Sequence, residues 1–538
     1  MKKYILKLFI IVLFVSIIHS CISFDTEPLT YDTEANYWDR SVSAIETVNS
    51  CYQWISNPDE IIYMEGATDN AYVRASSGKT QAIANGSHST ADAYIESVWG
   101  YRYEGIRVCN QLTDNIDRVP GLTDSLKNLY LSQVRVIRAL HYHELVTKFQ
   151  DVPYITTAVS FAEANKVSPA GRDVIINNIL AELDDILNNK YLPSSYPAAA
   201  DYGRITHYAA EALKARILLN EGRYAEVKTT TEDIIRNGNY ELHPQYDQLF
   251  VVNYEKNKEV MLSVQYALNM RENSGNYQFL PPSLAGIANI VPIKTLVDSY
   301  IMLNGKNISE IKSGYSESDP WKNRDPRLVA TICYDGGVYI KADGSQHKVT
   351  TSPDSKSNDR LQPGTSVITT TSGYYFKKFY DNQFITAQRS GLNYPVIRYA
   401  DVLLMYAEAC AETGTLTSAD WNMTIRKIRQ RAGFIDPEAL DMPSGKTKEE
   451  LINIIRNERR CELAFEGLRL KDIMRWRISE NVLNSDALGM YIGNSFSNTV
   501  NGYYKIETRN FDKSKHYLWP IPQSERDINK NLGQNSNW

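Results

Sequence analysis

Glu458 and Glu462 stand four residues apart in NERRCELAFEGLRLKDIMRW, residues 457–476. On a helix that spacing puts both carboxylates on one side. Leu451, Ile454, Ile455, Cys461, Phe465 and Leu468 trace an apolar stripe through the same region, and Glu458 falls inside it. Two carboxylates facing a cleft can do general acid–base work. Two facing a core need cations instead, and Arg456, Arg459, Arg460, Arg469, Arg475 and Arg477 are close by in sequence. Every acid here has an arginine near it and no cleft is implied, so the segment reads as a structural ion network.

A second group with chemical capacity is Asp69, Asn70, Tyr72 and Arg74, in an insertion spanning 59–90. The ring offers a flat apolar face, while amide, carboxylate and guanidinium can hydrogen-bond a polar ligand. Tyr277 lies in Gly/Asn/Ser-rich sequence before Pro281-Pro282, and Trp321 follows Asp319-Pro320. Both read as exposed loop aromatics and join the candidate ligand contacts. Trp99, within ESVWGYRYEGIRVCN, reads as core. Tyrosine is the compositional outlier, 36 against 14 Phe and 8 Trp. That suits recognition of sugars or peptides, although most of these rings must pack between helices. A surface glycosidase is the competing class; it would have to use Asp69 with Glu65, about 5–10 Å apart across a cleft.

His141 and His143 are two apart and face different directions on a helix, where a metal pair wants four. There is no CxxC, GxGxxG, GxSxG or HExxH. No metal or cofactor is expected, and a loop-bound structural calcium is the one metal the loops would accommodate. Five cysteines follow Cys21, an odd number that excludes full disulfide pairing; Cys109, Cys410 and Cys461 read as small buried hydrophobes.

Helical periodicity supplies the scaffold for these groups, over about 38–56, 91–117, 122–149, 171–189, 205–221, 223–237, 396–413, 418–432, 447–466 and 523–529. Segments 206–238 and 399–433 share a plan: an Ala-rich helix, a glycine near its end, then a second helix. Gly222 and Gly414 suit left-handed C-caps. The plan resembles the helix pair of tetratricopeptide repeats. Residues 240–395 differ, with the extended run EVMLSVQYAL and a polar tract at 341–373 that reads as loops and hairpins.

The N-terminus carries an address. Lys2, Lys3 and Lys7 precede a short apolar run, and Ile18-His19-Ser20 leads into Cys21. The run has the length of a signal-peptide core and falls short of the ~20 residues a spanning helix needs. The motif resembles a bacterial lipobox, which makes Cys21 the lipid attachment point. Residues 1–20 are then a discarded signal peptide, 21–33 a lipidated tether, and 34–538 one domain. Discarding 1–20 takes away three lysines and no acid, moving the net charge from −5 to about −8. That charge argues against nucleic acid as a partner.

RALHYHELVTKFQDVPYI (138–155), NRDPRLVATI (323–332), PVIRYADVLLMYAEA (395–409), ERRCELAFEGLRLKDIMRW (458–476) and HYLWPIPQSERDINKNLGQN (516–535) stand in an order and spacing that resemble the SusD/RagB family. These are outer-membrane lipoproteins of the Bacteroidetes. Phe149-Gln150-Asp151 departs from the commoner Tyr-Gly-Asp, and His19 is unusual in a lipobox. The resemblance implies a mostly α-helical body on tetratricopeptide-like helix pairs, with a loop-rich ligand-binding half and a few short strands. It implies a cell-surface lipoprotein, not an enzyme, that binds oligosaccharides, or in some members peptides. The ligand is handed to a partner SusC/RagA-like TonB-dependent transporter. Replacing Cys21 with alanine is expected to release the protein from the membrane fraction and abolish labelling by a radioactive fatty acid.

Overall fold

The structure is a computed structural model that describes residues 34–362, 368–384 and 388–538. The expected signal peptide, Cys21 and the expected tether lie outside the described residues. The first seven of the long helices among the described residues run in series: α1 (Ser43–Gln53), α2 (Ala93–Asn115), α3 (Asp124–Phe149), α4 (Arg172–Asn188), α5 (His207–Asn220), α6 (Tyr224–Asn237) and α7 (Tyr399–Glu412). Each packs on the next, α2 on α3, α3 on α4, and so on to α7. The helices start where side chains satisfy otherwise unpaired N–H groups. Asp92 accepts from Tyr94 and Ile95 at the head of α2, and Thr206 accepts from Ala209 at the head of α5. Ala209, Ala210, Ala212 and Ala215 are fully buried and let α5 approach its neighbours closely. Gly222 and Gly414 take φ of 67° and 69° after α5 and α7, as the two helix-pair segments require.

Two helices continue the scaffold differently from the sequence expectation. The segment 418–432 divides into α8 (Ser418–Met423) and α9 (Ile425–Ala432), broken at Thr424. The expected helix 447–466 ends early, as α10 (Lys448–Glu462). Phe465 and Gly467 then take positive φ, 65° and 72°. That turn swings Glu466 towards Arg398 and Lys378, where it forms ion pairs of 2.8 and 2.6 Å. The chain resumes as α11 (Arg469–Arg475). Gln150 has φ of 67° at the position where Gly is commoner, so the turn keeps its shape with a residue that bears the steric cost.

The strands are short. EVMLSVQYAL contributes β1 (Val260–Val264), which pairs antiparallel with β2 (Tyr394–Arg398). Arg398 sits opposite Val260, so this ladder brings Glu259 and Arg398 to one end. At the start of the polar tract a short hairpin pairs Val338–Ile340, just before it, with Gln346–Lys348 inside it. Among the described residues no helix is long and apolar enough to cross a membrane.

At the centre lies the ion network. Glu462 accepts from Arg327 at 2.9 Å, from Arg398 at 2.6 Å and from Arg431. Arg327 also reaches Asp325 and Glu458, at 2.7 and 2.6 Å, and Arg398 reaches Glu259 at 2.7 Å. Beside it Arg459 bridges Asp472 and Asp401, and Arg475 holds Glu408 at 2.6 Å. These side chains are nearly inaccessible to water. Burial opposes ionisation of Glu462, but Arg431, Arg398 and Arg327 overcome it and hold the carboxyl well below its usual range. Such a network adds little net stability over an apolar core, yet removing one partner strands the rest.

Glu462→Gln is therefore expected to lower the unfolding free energy at pH 7 by ~3–5 kcal/mol in urea titrations. Because the folded pKa is depressed, the contribution of Glu462 is complete above the unfolded value of ~4.3 and disappears as pH falls towards the folded value. The gap between wild type and Glu462→Gln should therefore close below about pH 4.

Candidate functional site

A groove of about 410 Å³ lies where the two loop-rich insertions meet the start of the scaffold. One wall is the helix Pro58–Met64, whose N-cap Asn57 accepts from Glu60. The opposite wall is the segment 272–274, and the floor is the first turns of α2. Tyr101 and Tyr266 both line it and both are half-buried. Tyr101 is held by Trp54, ring centroids 5.0 Å apart, and by its hydroxyl, which donates to Gln53 O at 3.2 Å. Tyr266 lies under the Arg271 guanidinium, 4.6 Å from its ring centre, and Arg271 donates to Gln53 O at 2.9 Å. The two rings are thus braced through one carbonyl. Burial pushes the Tyr266 phenol up to about 12, so it remains a protonated donor.

Tyr94 is a buried member of the groove. Its hydroxyl has no hydrogen-bond partner among the described residues, and burial drives its pKa well above the ordinary value. A buried hydroxyl without a partner costs about 1–3 kcal/mol, a cost that a ligand or water in the groove would remove. The acids around the groove are paired. Asp59 faces Lys79 at 3.5 Å, Glu60 pairs with Arg102, and Glu272 is held bidentately by Arg389. The hydrogen bond from Arg389 keeps Glu272 below its usual range. The site therefore offers aromatic faces, amide and hydroxyl groups, and charges already neutralised. Among the described residues no three His, Cys, Asp or Glu side chains cluster as a metal site.

Residues 247–538 match the model of the SusD family. The chain belongs to that family. Residues 29–219 of this SusD-family chain also match a model described as starch-binding and associating with the outer membrane. The SusD-like protein P2 of Formosa agariphila is 24% identical over 557 residues, covering 100% of this chain and 99% of that protein. The starch-binding protein SusD of Bacteroides thetaiotaomicron is 24% identical over 452 residues, 79% of this chain and 75% of its own. Among solved structures, a SusD-like carbohydrate-binding protein of Bacteroides fragilis superposes with a TM-score of 0.82 at 27% identity, covering 93% of this chain and 100% of that one. The mostly α-helical SusD-like fold expected from the sequence is the fold found.

The SusD-family scaffold places the six sequence-derived ligand candidates unevenly, and none of them lines the groove. Asp69 and Asn70 are buried. Asp69 takes two hydrogen bonds of 2.9 Å from Arg469 and an ion pair from Arg460, and Asn70 binds Glu65 and Arg460 at 2.7 Å. Their polarity serves the interior, so the structural reading replaces the ligand one for both. Tyr72 and Arg74 lie half-buried on and just after the strand Ala71–Val73; Arg74 donates to Thr369 O at 2.7 Å. Tyr277 is half-buried in the short helix Gly275–Phe279, next to the groove wall in sequence. Trp321 stacks flat on Tyr334, centroids 3.7 Å and planes 10° apart, so one indole face is covered. Glu65, the other half of the conceivable carboxylate pair, is fully buried and pushed up by that burial. Asp69 and Glu65 therefore face no cleft.

Tyr101 and Tyr266 were not selected from the sequence. Tyr101 looks like a core position of an amphipathic helix, and Tyr266 like the tail of a strand. Nothing local in the sequence marks Tyr101; for Tyr266 the one nearby feature is the turn just after β1 that carries Leu268 and Met270, which the fold leaves exposed. Asp69→Ala is expected to cost ~3–5 kcal/mol of stability while leaving ligand affinity of the folded fraction unchanged, measured by calorimetry beside urea unfolding.

Proposed function

We propose that this SusD-family protein captures oligosaccharides at the cell surface without cleaving them and passes them to a SusC-like TonB-dependent transporter in the outer membrane. The observation that carries the reading is the groove: braced tyrosines, one buried hydroxyl without a partner, and no surplus charge. A pyranose ring presents apolar C–H faces for Tyr101 and Tyr266 and hydroxyls for Tyr94, Ser274 and Asn57. The names of related proteins, carbohydrate-binding and starch-binding, support the ligand class. The outer-membrane description of the family matched at 29–219 supports the place, with Cys21 as the lipid anchor. Binding without cleavage is supported by the pairing of Asp59, Glu60 and Glu272 with cations, because a glycosidase needs one of its two carboxyls kept protonated.

An open groove with few direct contacts gives modest affinity, about micromolar to millimolar, which suits a ligand that must be released to a transporter. Calorimetry across a panel of neutral oligosaccharides is the test. Tyr266→Ala and Tyr101→Ala should each weaken the ligand that binds by ~1–2 kcal/mol, or about five- to thirtyfold. Incubation with the same panel should produce no new reducing ends. Binding that survives both tyrosine substitutions at full strength would rule out this groove.

A further inference from the structure

A second cavity, of about 490 Å³, opens between α2, α3, α11 and the C-terminal segment 513–519. Its wall, among the described residues, carries nine Lys or Arg side chains and three Glu, in a chain whose net charge is −5. Several of those cations are matched from behind. Arg216 pairs with Asp401 and Arg475 with Glu408, both at 2.6 Å, and Arg172 pairs with Glu221. The deep end is not matched. Lys148, 2.5 Å from Glu144 Oε2, and Lys471, on Glu144 Oε1, share one carboxylate. Burial opposes the charge on Glu144, but the two lysines outweigh it and keep the carboxyl ionised. Two ammonium groups on one carboxylate leave one positive charge over in a buried place, and burial accordingly lowers the Lys471 pKa against the pull of Glu144. At the mouth, Arg477, Lys513 and Lys515 have no carboxylate within ion-pair distance among the described residues; Glu480 and Asp512 act on them from further off.

Two further observations point to an occupant. His143 lines this cavity, is 1% exposed, and its Nε2 has no hydrogen-bond partner among the described residues. Its pKa is driven down to about 3 by burial and by Lys471, so the neutral ring has a nitrogen to offer. The rest of the wall mixes apolar side chains, including Leu140, Leu470, Met474 and Trp519, with uncharged polar ones such as Thr147, Gln150 and Asn220. Its volume is within the ~300–1,000 Å³ of ordinary small-molecule sites.

We infer that this cavity is a second binding site, for a small organic anion whose carboxylate or sulfate meets Lys471 and Lys148 while a partly apolar body fills the rest. A neutral sugar offers nothing to the surplus charge, and a cation is repelled by it. The rim cations would draw the anion in, an effect that fades as salt is added. Glu60 borders both this cavity and the tyrosine groove, so its pair with Arg102 is a shared wall. The inference stands on the charge balance of the second cavity and not on what the groove binds.

The test is titration of the folded protein with sodium glucuronate, sodium benzoate and neutral methyl glucoside, at low and at high salt. Saturable, salt-weakened binding of glucuronate or benzoate, with methyl glucoside inert, is expected. Glucuronate alone would identify the anion as a sugar acid; benzoate alone would identify a free aryl or alkyl carboxylate. Lys471→Met leaves Lys148 and Glu144 matched one to one and should weaken binding about tenfold or more. Arg477→Gln with Lys513→Gln, on the surface, should weaken it several-fold at low salt and hardly at all at high salt. Failure of both anions to saturate, equal binding of the glucoside, or full affinity in folded Lys471→Met would overturn the inference. Should Lys471→Met not fold, unchanged low-salt affinity in the rim variant overturns it instead.

Discussion

Glu462 is held by Arg327, Arg398 and Arg431, three guanidinium groups delivered by three separate stretches of chain. Each arginine also pairs with a further carboxylate, Arg327 with Asp325 and Glu458 and both Arg398 and Arg431 with Glu259, so the charges are matched only as a set, and a buried charge without its partner is far costlier than an exposed one. The elements around it are shaped by that demand. The ladder of β1 and β2 ends where Glu259 and Arg398 must meet, and α10 stops so that Glu466 can turn inward. The helix stack supplies a rigid floor, and the network locks the loop-rich half onto it.

Three of the five stretches that carry the family resemblance turn out to supply parts of this network and the ion pairs beside it. NRDPRLVATI contributes Asp325 and Arg327, PVIRYADVLLMYAEA contributes Arg398, Asp401 and Glu408, and ERRCELAFEGLRLKDIMRW contributes Glu458, Arg459, Glu462, Glu466, Arg469, Asp472 and Arg475. HYLWPIPQSERDINKNLGQN docks on α3 instead: Trp519 N–H donates to Lys148 O, and Asn535 to Phe149 O. A reader of the sequence could therefore recognise the body of the protein from its interior.

That is also why the scaffold was legible and the groove was not. The period of 3.6 and the capping residues mark helices locally, so α2 to α7 lie within a few residues of where the pattern puts them. The ion network was legible as a need for partners, but only the nearby arginines could be named; Arg327, Arg398 and Arg431 are distant in sequence and adjacent only when folded. Asp69 and Asn70 illustrate the opposite error. A polar pair in a loop looks like surface, and nothing local reveals that Arg460 and Arg469 wait for it. Tyr101 and Tyr266 are 165 positions apart and are brought together by tertiary packing alone.

The bond between Asp69 and Arg469 spans 400 residues. A chain leaving the ribosome or a translocation channel with its N-terminus first exposes Asp69 long before Arg469 follows. Until then the insertion around Asp69 has no counter-ion and no reason to settle. A contact of that separation can close only once the last fifth of the chain is out. In any chain that emerges N-terminus first, such an ordering of partners keeps the polypeptide pliable until its C-terminal region arrives.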